Sequence, residues 1–236
     1  MNKKAILDSI KKVREVSPKR KFPQTFDLIV NLQNIDVKNP EQKVDLFVQL
    51  HYPRGKKPRV CALVGPEMEA KAKPLFDQVI LKEEFPTYAK NKKAAKKLAG
   101  SYDYFIAQAN LMGEIATAFG KVFGPKGKMP NPKAGCVVPP TIDLKPVANK
   151  LEFTTRATTK DEPIIKTGIG TENMKDEEIA DNAFTVFNAI LHAVPNEIHN
   201  IRSMFLKLTM GPVVEITNKG PVFKEIPKKP KKEVKK

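Results

Sequence analysis

Apolar and polar positions divide the chain into two kinds of stretch. Toward both ends, FDLIVNL (26–32), VDLFVQL (44–50), PIIKTGI (163–169), SMFLKLT (203–209) and VVEIT (213–217) read as strands, the last two joined by a turn at Met210-Gly211-Pro212. In SMFLKLT the residues Ser203, Phe205, Lys207 and Thr209 share one face, and Met204, Leu206 and Leu208 the other. Between 175 and 194, Ile179, Ala183, Val186, Phe187, Ile190 and Val194 recur at helical spacing, with Asn173 as the expected cap and acids in the first turn. Another helix is expected at the N-terminus. The middle differs: RVCALV (59–64), QVIL (78–81), YDYFIA (102–107) and a weaker CVV (136–138) are short apolar runs separated by helical stretches at 67–73, 87–98 and 110–122. That order implies a parallel sheet covered on both faces.

Breaker-rich segments, HYPRGKKPR (51–59) and TTRATTKDEP (154–163), bracket the middle. Neither terminal piece has enough apolar surface to fold well alone. The expected fold is therefore α/β and α+β together. A discontinuous α+β domain is built from residues 1–55 and 157–236, and a parallel-sheet α/β domain, 56–156, is inserted into it.

Composition adds a partner class. Of 236 residues, 41% are hydrophobic, enough for a packed core, and no apolar run is long enough to span a bilayer. The charged, amphipathic N-terminus has no apolar signal core, so export is not expected. Cys61 and Cys136 have no companions at metal-ligand spacing and read as free thiols in apolar surroundings. Forty-two Lys and Arg against 26 Asp and Glu give a net charge of +16, which favours polyanions. Residues 1–21 hold eight basic and two acidic groups, 219–236 the same, and 56–156 eighteen and nine. The remaining segments, 22–55 and 157–218, have eight basic and thirteen acidic groups, so charge alone would pass over them.

Catalytic readings find little support. FGPKGKMPNPKAG (123–135) reads as a constrained basic loop able to approach phosphates, with Lys126, Lys128 and Lys133 as possible contacts. It is not a Walker loop, because Val122 and Met129 stand where glycine and Ser/Thr are required. His51, His192 and His199 lack metal-ligand spacing. Glu83-Glu84 and Asp176-Glu177-Glu178 are acids at helix starts, where they complement the dipole. The lysines of YAKNKKAAKKLA (88–99) read as a solvated helix face. By spacing alone Phe22 is a core residue and Thr209-Met210-Gly211 an ordinary turn.

Three motifs in order, KFPQTFDLIVNL, GPKGKMPNPKAG and LTMGPVVEI, resemble the ribosomal protein L-one family over about residues 3–217. The resemblance implies a discontinuous first domain, an inserted Rossmann-like second domain, and a non-enzymatic protein without cofactor or metal. It implies that the first domain grips a stem-loop of large-subunit rRNA at the mobile stalk near the exit site, with tRNA passing close by. Some members bind a mimic of that stem-loop in their own mRNA and repress translation. The matching positions are Phe22, Thr25, Ser203, Thr209, Met210 and Gly211, with Lys21, Asp27 and Lys207 as weaker matches and Gly168 and Gly170 in a glycine-containing loop nearby. Short polar groups, exposed backbone and flat apolar contacts suit folded RNA. Asp27 stands where bacterial relatives have glutamate, and Cys136 where threonine is expected; YDYFIAQANLM and the basic tail look archaeal or eukaryotic. The resemblance further implies a cytoplasmic, ribosome-bound chain that is monomeric off the ribosome and has no membrane partner. Two rival readings are an assembly factor of the same fold, separable by co-sedimentation with mature subunits, and an α/β enzyme using the glycine-rich loop, which predicts a retained nucleotide.

Overall fold

The computed structural model describes residues 2–37, 39, 42–217 and 220–223. In chain order the elements are α1 (Lys3–Val16), β1 (Thr25–Leu32), β2 (Asp45–Gln49), β3 (Val60–Val64), α2 (Pro66–Ala72), β4 (Gln78–Leu81), α3 (Phe85–Lys90), α4 (Lys92–Ser101), β5 (Tyr104–Gln108) and α5 (Met112–Lys126). There follow β6 (Val137–Val138), α6 (Leu144–Glu152), β7 (Thr154–Thr158), β8 (Ile164–Thr171), α7 (Asp176–Ala193), β9 (Ile201–Leu208), β10 (Val213–Thr217) and β11 (Gly220–Phe223). They fall into two units, residues 1–45 with 157–236, and residues 46–156.

In the first unit five antiparallel strands run in the order β11-β10-β9-β1-β8. Strict alternation along β1 buries Phe26, Leu28, Val30 and Leu32, and β9 does the same with Met204, Leu206 and Leu208. Helices α1 and α7 pack against each other and cover that face, α1 over β9–β11 and α7 over β8. Every member of the expected apolar face of α7, from Ile179 to Val194, is buried. Its start differs from expectation. The cap is Lys175 rather than Asn173, and the Glu178 carboxylate accepts from the Lys175 N–H at 3.4 Å. Among the described residues of this unit no helix packs on the opposite face of the sheet. The basic tail expected over 219–236 lies outside the described residues except for Gly220–Phe223, which add β11.

In the second unit the parallel order is β4-β3-β5-β6, with a hydrophobic core on each side. Cys61, Leu63 and Phe105 meet Phe85, Leu98, Phe119 and Phe123 of α3, α4 and α5. Val60, Ala62 and Ile106 meet Met68 of α2 and Leu144 and Leu151 of α6 on the other face. Both cysteines are free, and burial pushes the Cys61 thiol up to about 12 and that of Cys136 to about 11. They are inert fillers at neutral pH.

The structure redraws some elements. The single helix expected at 87–98 is two, because Asn91 breaks α3 and then caps α4, its Oδ1 accepting from Ala94 N–H at 3.1 Å. Residues 123–126 are the last turn of α5 rather than loop, ended by Gly127 at φ +63°. Segment 154–158 is strand β7, not hinge, and pairs with β2. That pairing moves the first crossing between units from residue 55 to Asp45/Leu46, while the second falls at Arg156/Ala157.

Candidate nucleic-acid interface

Pairing of β1 with β8 and β9 brings most of the candidate residues onto the uncovered face. Asp27 lies between Gly168 and Lys207, Ile29 between Lys166 and Phe205, and Asn31 between Ile164 and Ser203. The Asn31 side chain donates to Ser203 Oγ at 3.0 Å. Ser203 is six residues along β9 from Thr209, roughly 20 Å by strand rise, so the two mark opposite ends of the face rather than one cluster.

The end of the face nearer the β9–β10 turn is tightly organised. Thr25 and Thr209 are tied three times: Thr209 N–H donates to Thr25 O at 3.0 Å, Thr209 Oγ1 donates to the same oxygen at 3.3 Å, and Thr25 N–H donates to Thr209 Oγ1 at 3.2 Å. The neighbouring side chains of Phe22 and Met210 are 49% and 56% exposed, which is unusual for apolar groups of that size. Phe22 is therefore not the core residue that spacing alone suggests. Lys21 is exposed beside it.

Two residues that sequence reasoning missed hold this end together. Gln24 is 1% exposed; its Oε1 accepts from Met210 N–H at 3.1 Å and its Nε2 donates to Pro18 O at 3.2 Å. Its backbone carbonyl accepts from Glu172 N–H at 2.8 Å. One buried residue thus ties together the entry segment and the β9–β10 turn through its side chain and the loop after β8 through its backbone. The signal was available, since Gln24 continues the in-phase series Phe26, Leu28, Val30 and must face the covered side. Arg14 on α1 donates to Asp176 Oδ1 at 2.7 Å, Glu172 O at 2.8 Å and Met174 O at 2.9 Å, with its guanidinium 5.2 Å from the Phe26 ring centre.

The two glycines are in β8, not in a loop, and face opposite ways. A Cβ on Gly168 would meet Thr25 Cγ2 at 3.3 Å on the open face. One on Gly170 would meet Met174 Sδ at 3.1 Å and Ile179 Cγ1 at 3.2 Å beneath α7. The register shift between them leaves Ile169 as an extra residue, whose carbonyl accepts from the buried Asn182 amide at 3.0 Å. Gly170 thus packs the helix against the sheet, and Gly168 keeps the floor beside Asp27 low.

Burial raises the Asp27 carboxyl above the ordinary carboxylate range, and the Lys207 ammonium opposes this only in part. A raised folded-state value means that ionisation of Asp27 costs stability. That cost is absent where both folded and unfolded forms are protonated, and it grows as pH rises through the folded value. Asp27→Asn is therefore expected to raise the thermal midpoint at pH 7 and to leave it unchanged at pH 3. Thermal melts of the two proteins at both pH values check this, and an equal shift at both would refute it.

In residues 46–156 the expected basic contacts are largely engaged. Lys126 Nζ donates to Lys96 O at 3.1 Å and Lys128 Nζ to Tyr102 O, with burial lowering the Lys128 pKa. Lys126 thus reaches a carbonyl in the middle of α4 and Lys128 the carbonyl of its C-cap residue, whereas Lys133 is exposed. The crevice where a parallel sheet of this order takes nucleotides, between the ends of β3 and β5, is filled by Gln108. Its Oε1 accepts from Gly65 N–H at 2.9 Å and its Nε2 donates to Glu67 Oε2 at 3.2 Å. Among the described residues no group of His, Cys, Asp and Glu could hold a metal, and no helix is long and apolar enough to cross a membrane.

Comparison with known proteins decides the family. Residues 10–212 match the model of the ribosomal protein L1p/L10e family. The chain belongs to that family. It is 39% identical over 212 residues to large ribosomal subunit protein uL1 of Methanothermobacter thermautotrophicus, covering 89% of this chain and 98% of the relative. The protein of the same name from Nanoarchaeum equitans is 42% identical, with the same coverage of both chains. That of Thermococcus kodakarensis is 37% identical, covering 91% of this chain and 98% of the relative. These archaeal relatives agree with the lineage suggested by YDYFIAQANLM, and the two-unit α/β and α+β fold is that of the family.

Proposed function

We propose that the protein is a non-enzymatic constituent of the large ribosomal subunit in the cytoplasm. In this reading it binds large-subunit rRNA at the mobile stalk near the exit site, where it takes part in release of deacylated tRNA. It also represses translation by binding a like structure in its own mRNA. The relatives, large ribosomal subunit proteins by name, support the ribosomal role. The observation that carries the RNA site is the exposure of Phe22 and Met210, the latter with its N–H bonded to buried Gln24, two residues along the chain from Phe22, at one end of the open sheet face. Exposed apolar groups fixed beside backbone and hydroxyls of Thr25 and Thr209 offer flat contacts and hydrogen bonds to unstacked bases and sugars. Lys21 and Lys207 supply local charge, and Gly168 leaves room for close approach of the RNA.

The test is a gel-shift titration of the full chain against the large-subunit stalk stem-loop, the leader of its own mRNA and a scrambled hairpin. Met210→Asp is expected to weaken binding to the first two by about a hundredfold, through lost apolar contact and repulsion of phosphates. Its thermal stability should be nearly unchanged, because the side chain is more than half exposed. Thr209→Ala removes the acceptor for Thr25 N–H and should also cost about 1 kcal/mol of stability. Equal affinity for all three RNAs, or indifference to Met210→Asp, would defeat the reading.

A further inference from the structure

The solvent face of α4 lies in residues 46–156 and has no part in the site just described. Lys92, Lys93, Lys96 and Lys97 are all exposed on it, while Ala95, Leu98 and Ala99 are buried. At about 100° per residue, Lys93, Lys96 and Lys97 stand opposite the buried stripe, with Lys92 at its margin. The helix contains no acidic residue, and none of these four lysines has an ion-pair partner among the described residues. Acids nearby are used where they exist: Lys82 pairs with Glu114 at 2.7 Å and Lys73 with Glu69 at 2.7 Å. Lys92 with Lys96, and Lys93 with Lys97, are like-charged pairs at i,i+4, an arrangement that weakens a helix unless an anion neutralises it. Lys126, bonded to the Lys96 carbonyl, extends the strip, and Lys128 follows at Tyr102 with Asp103 close to it.

What else the face presents narrows the partner. Apart from the lysines it offers Gly100, with open space above its Cα. No residue within α4 carries an aromatic ring on which a base could stack or an apolar wedge to enter a bilayer, and the Tyr102 ring at its C-cap packs edge-on against Phe105. Along the axis the paired lysines are separated by about 6 Å, a ladder of point charges rather than a pocket. Such a ladder suits a regularly charged backbone and carries no information about sequence.

We propose that the α4 face, Lys92, Lys93, Lys96 and Lys97 extended by Lys126, is a second RNA-binding surface that engages the phosphate backbone of double-helical RNA without reading sequence. The proposal rests on the RNA-binding function given above. Sequence reading put the basic contact in the 123–135 segment and treated α4 as solvated; the proposed contact centres instead on α4, against which Lys126 and Lys128 are tied through the Lys96 and Tyr102 carbonyls. The surface supplies attraction and on-rate, and selection is left to the Phe22–Met210 end.

The experiment replaces Lys92, Lys93, Lys96 and Lys97 together by Gln in the full chain, which keeps length and helix propensity. Binding to the stalk stem-loop and to a scrambled hairpin is measured across a salt series. The slope of log affinity against log salt is expected to fall by about 3 to 4. Affinity for both RNAs should drop by the same factor, about tenfold or more at low salt, with their ratio kept and the thermal midpoint not lowered. A control removes the same charge elsewhere, with Lys71, Lys145, Lys150 and Lys160 changed to Gln, and should lose much less slope. Equal loss in the control means that net charge alone acts, and the proposal fails. It fails equally if the α4 variant keeps its slope, if the ratio between the RNAs collapses, or if only adsorption to phosphatidylserine-rich vesicles is lost. A wild-type protein that does not distinguish the two RNAs but still loses slope on α4 substitution would sink the proposed stalk function and leave this surface standing.

Discussion

Joining Asp45 directly to Ala157 through a short flexible linker, with residues 46–156 removed, is expected to give a folded protein that still selects the stalk stem-loop. The strands that build the open face, both covering helices, and Phe22, Thr25, Ser203, Thr209, Met210 and Gly211 all come from the retained segments. The cut ends are already side by side. Val44 N–H donates to Thr159 Oγ1 at 3.1 Å, and Thr159 N–H donates to Val44 O at 2.9 Å, so closing the gap costs little loop entropy. The joint must be made at Asp45. Ending the first segment at residue 55 would leave Leu46–Gln49 without most of β7, exposing Val48 and Leu50, which are now buried. Removing 46–156 deletes nineteen basic and nine acidic groups and with them the α4 face, so affinity at low salt should fall while preference over a scrambled hairpin remains. Gel shifts with this protein and with isolated residues 46–156 test the assignment. If the isolated insert selects the stem-loop and the rejoined protein is inert, recognition lies in the wrong unit.

The periodic parts of the fold were legible because they are governed by burial on one face. Alternation placed β1, β9 and β10, and the spacing from Ile179 to Val194 placed α7, each within a few residues of its observed bounds. What escaped was decided by single residues or distant partners. The break at Asn91 sits within a run of good helix formers, where only the amide cap marks it. Helix α6, which the apolar pattern does not mark, follows Asp143, whose carboxylate accepts from Lys145 N–H at 3.1 Å, and has Pro146 in its first turn, a start signal carried by single residues. Threonine-rich β7 was taken for a hinge, and its pairing with β2 is a contact across about 110 residues that no local pattern reveals.

The candidate site divides in the same way. Resemblance supplied the residues that face outward, but not the buried groups that aim them. Gln24 is buried and Arg14 half-buried; they matter because backbone groups of neighbouring chain segments converge on them. Nor could sequence tell that Gly168 and Gly170 look to opposite faces, since the register shift between them cancels the period of two.

Gly211→Ala is expected to be among the most damaging single-methyl changes in the molecule, at about 2 kcal/mol or more of lost stability. A Cβ at this position would lie 2.4 Å from Ser17 Oγ and 3.2 Å from Leu208 Cβ. The turn cannot simply retreat, because Gly211 N–H is bonded to Leu208 O at 2.9 Å and the adjacent Met210 N–H to Gln24. The strain should displace Met210, so binding to the stalk RNA should weaken along with stability. Ser17 makes the cause separable. Its hydroxyl is buried with no hydrogen-bond partner among the described residues, so Ser17→Ala alone should be neutral or slightly stabilising. Added to Gly211→Ala, it removes the 2.4 Å contact and leaves the Ser17 Cβ at 3.2 Å, a distance that small shifts can absorb. The double variant should therefore recover most of the stability and RNA binding, with a coupling energy of about 1–2 kcal/mol between the sites. Urea unfolding of the four proteins measures that coupling. Additive effects would mean that Gly211 is required for some reason other than its contact with Ser17.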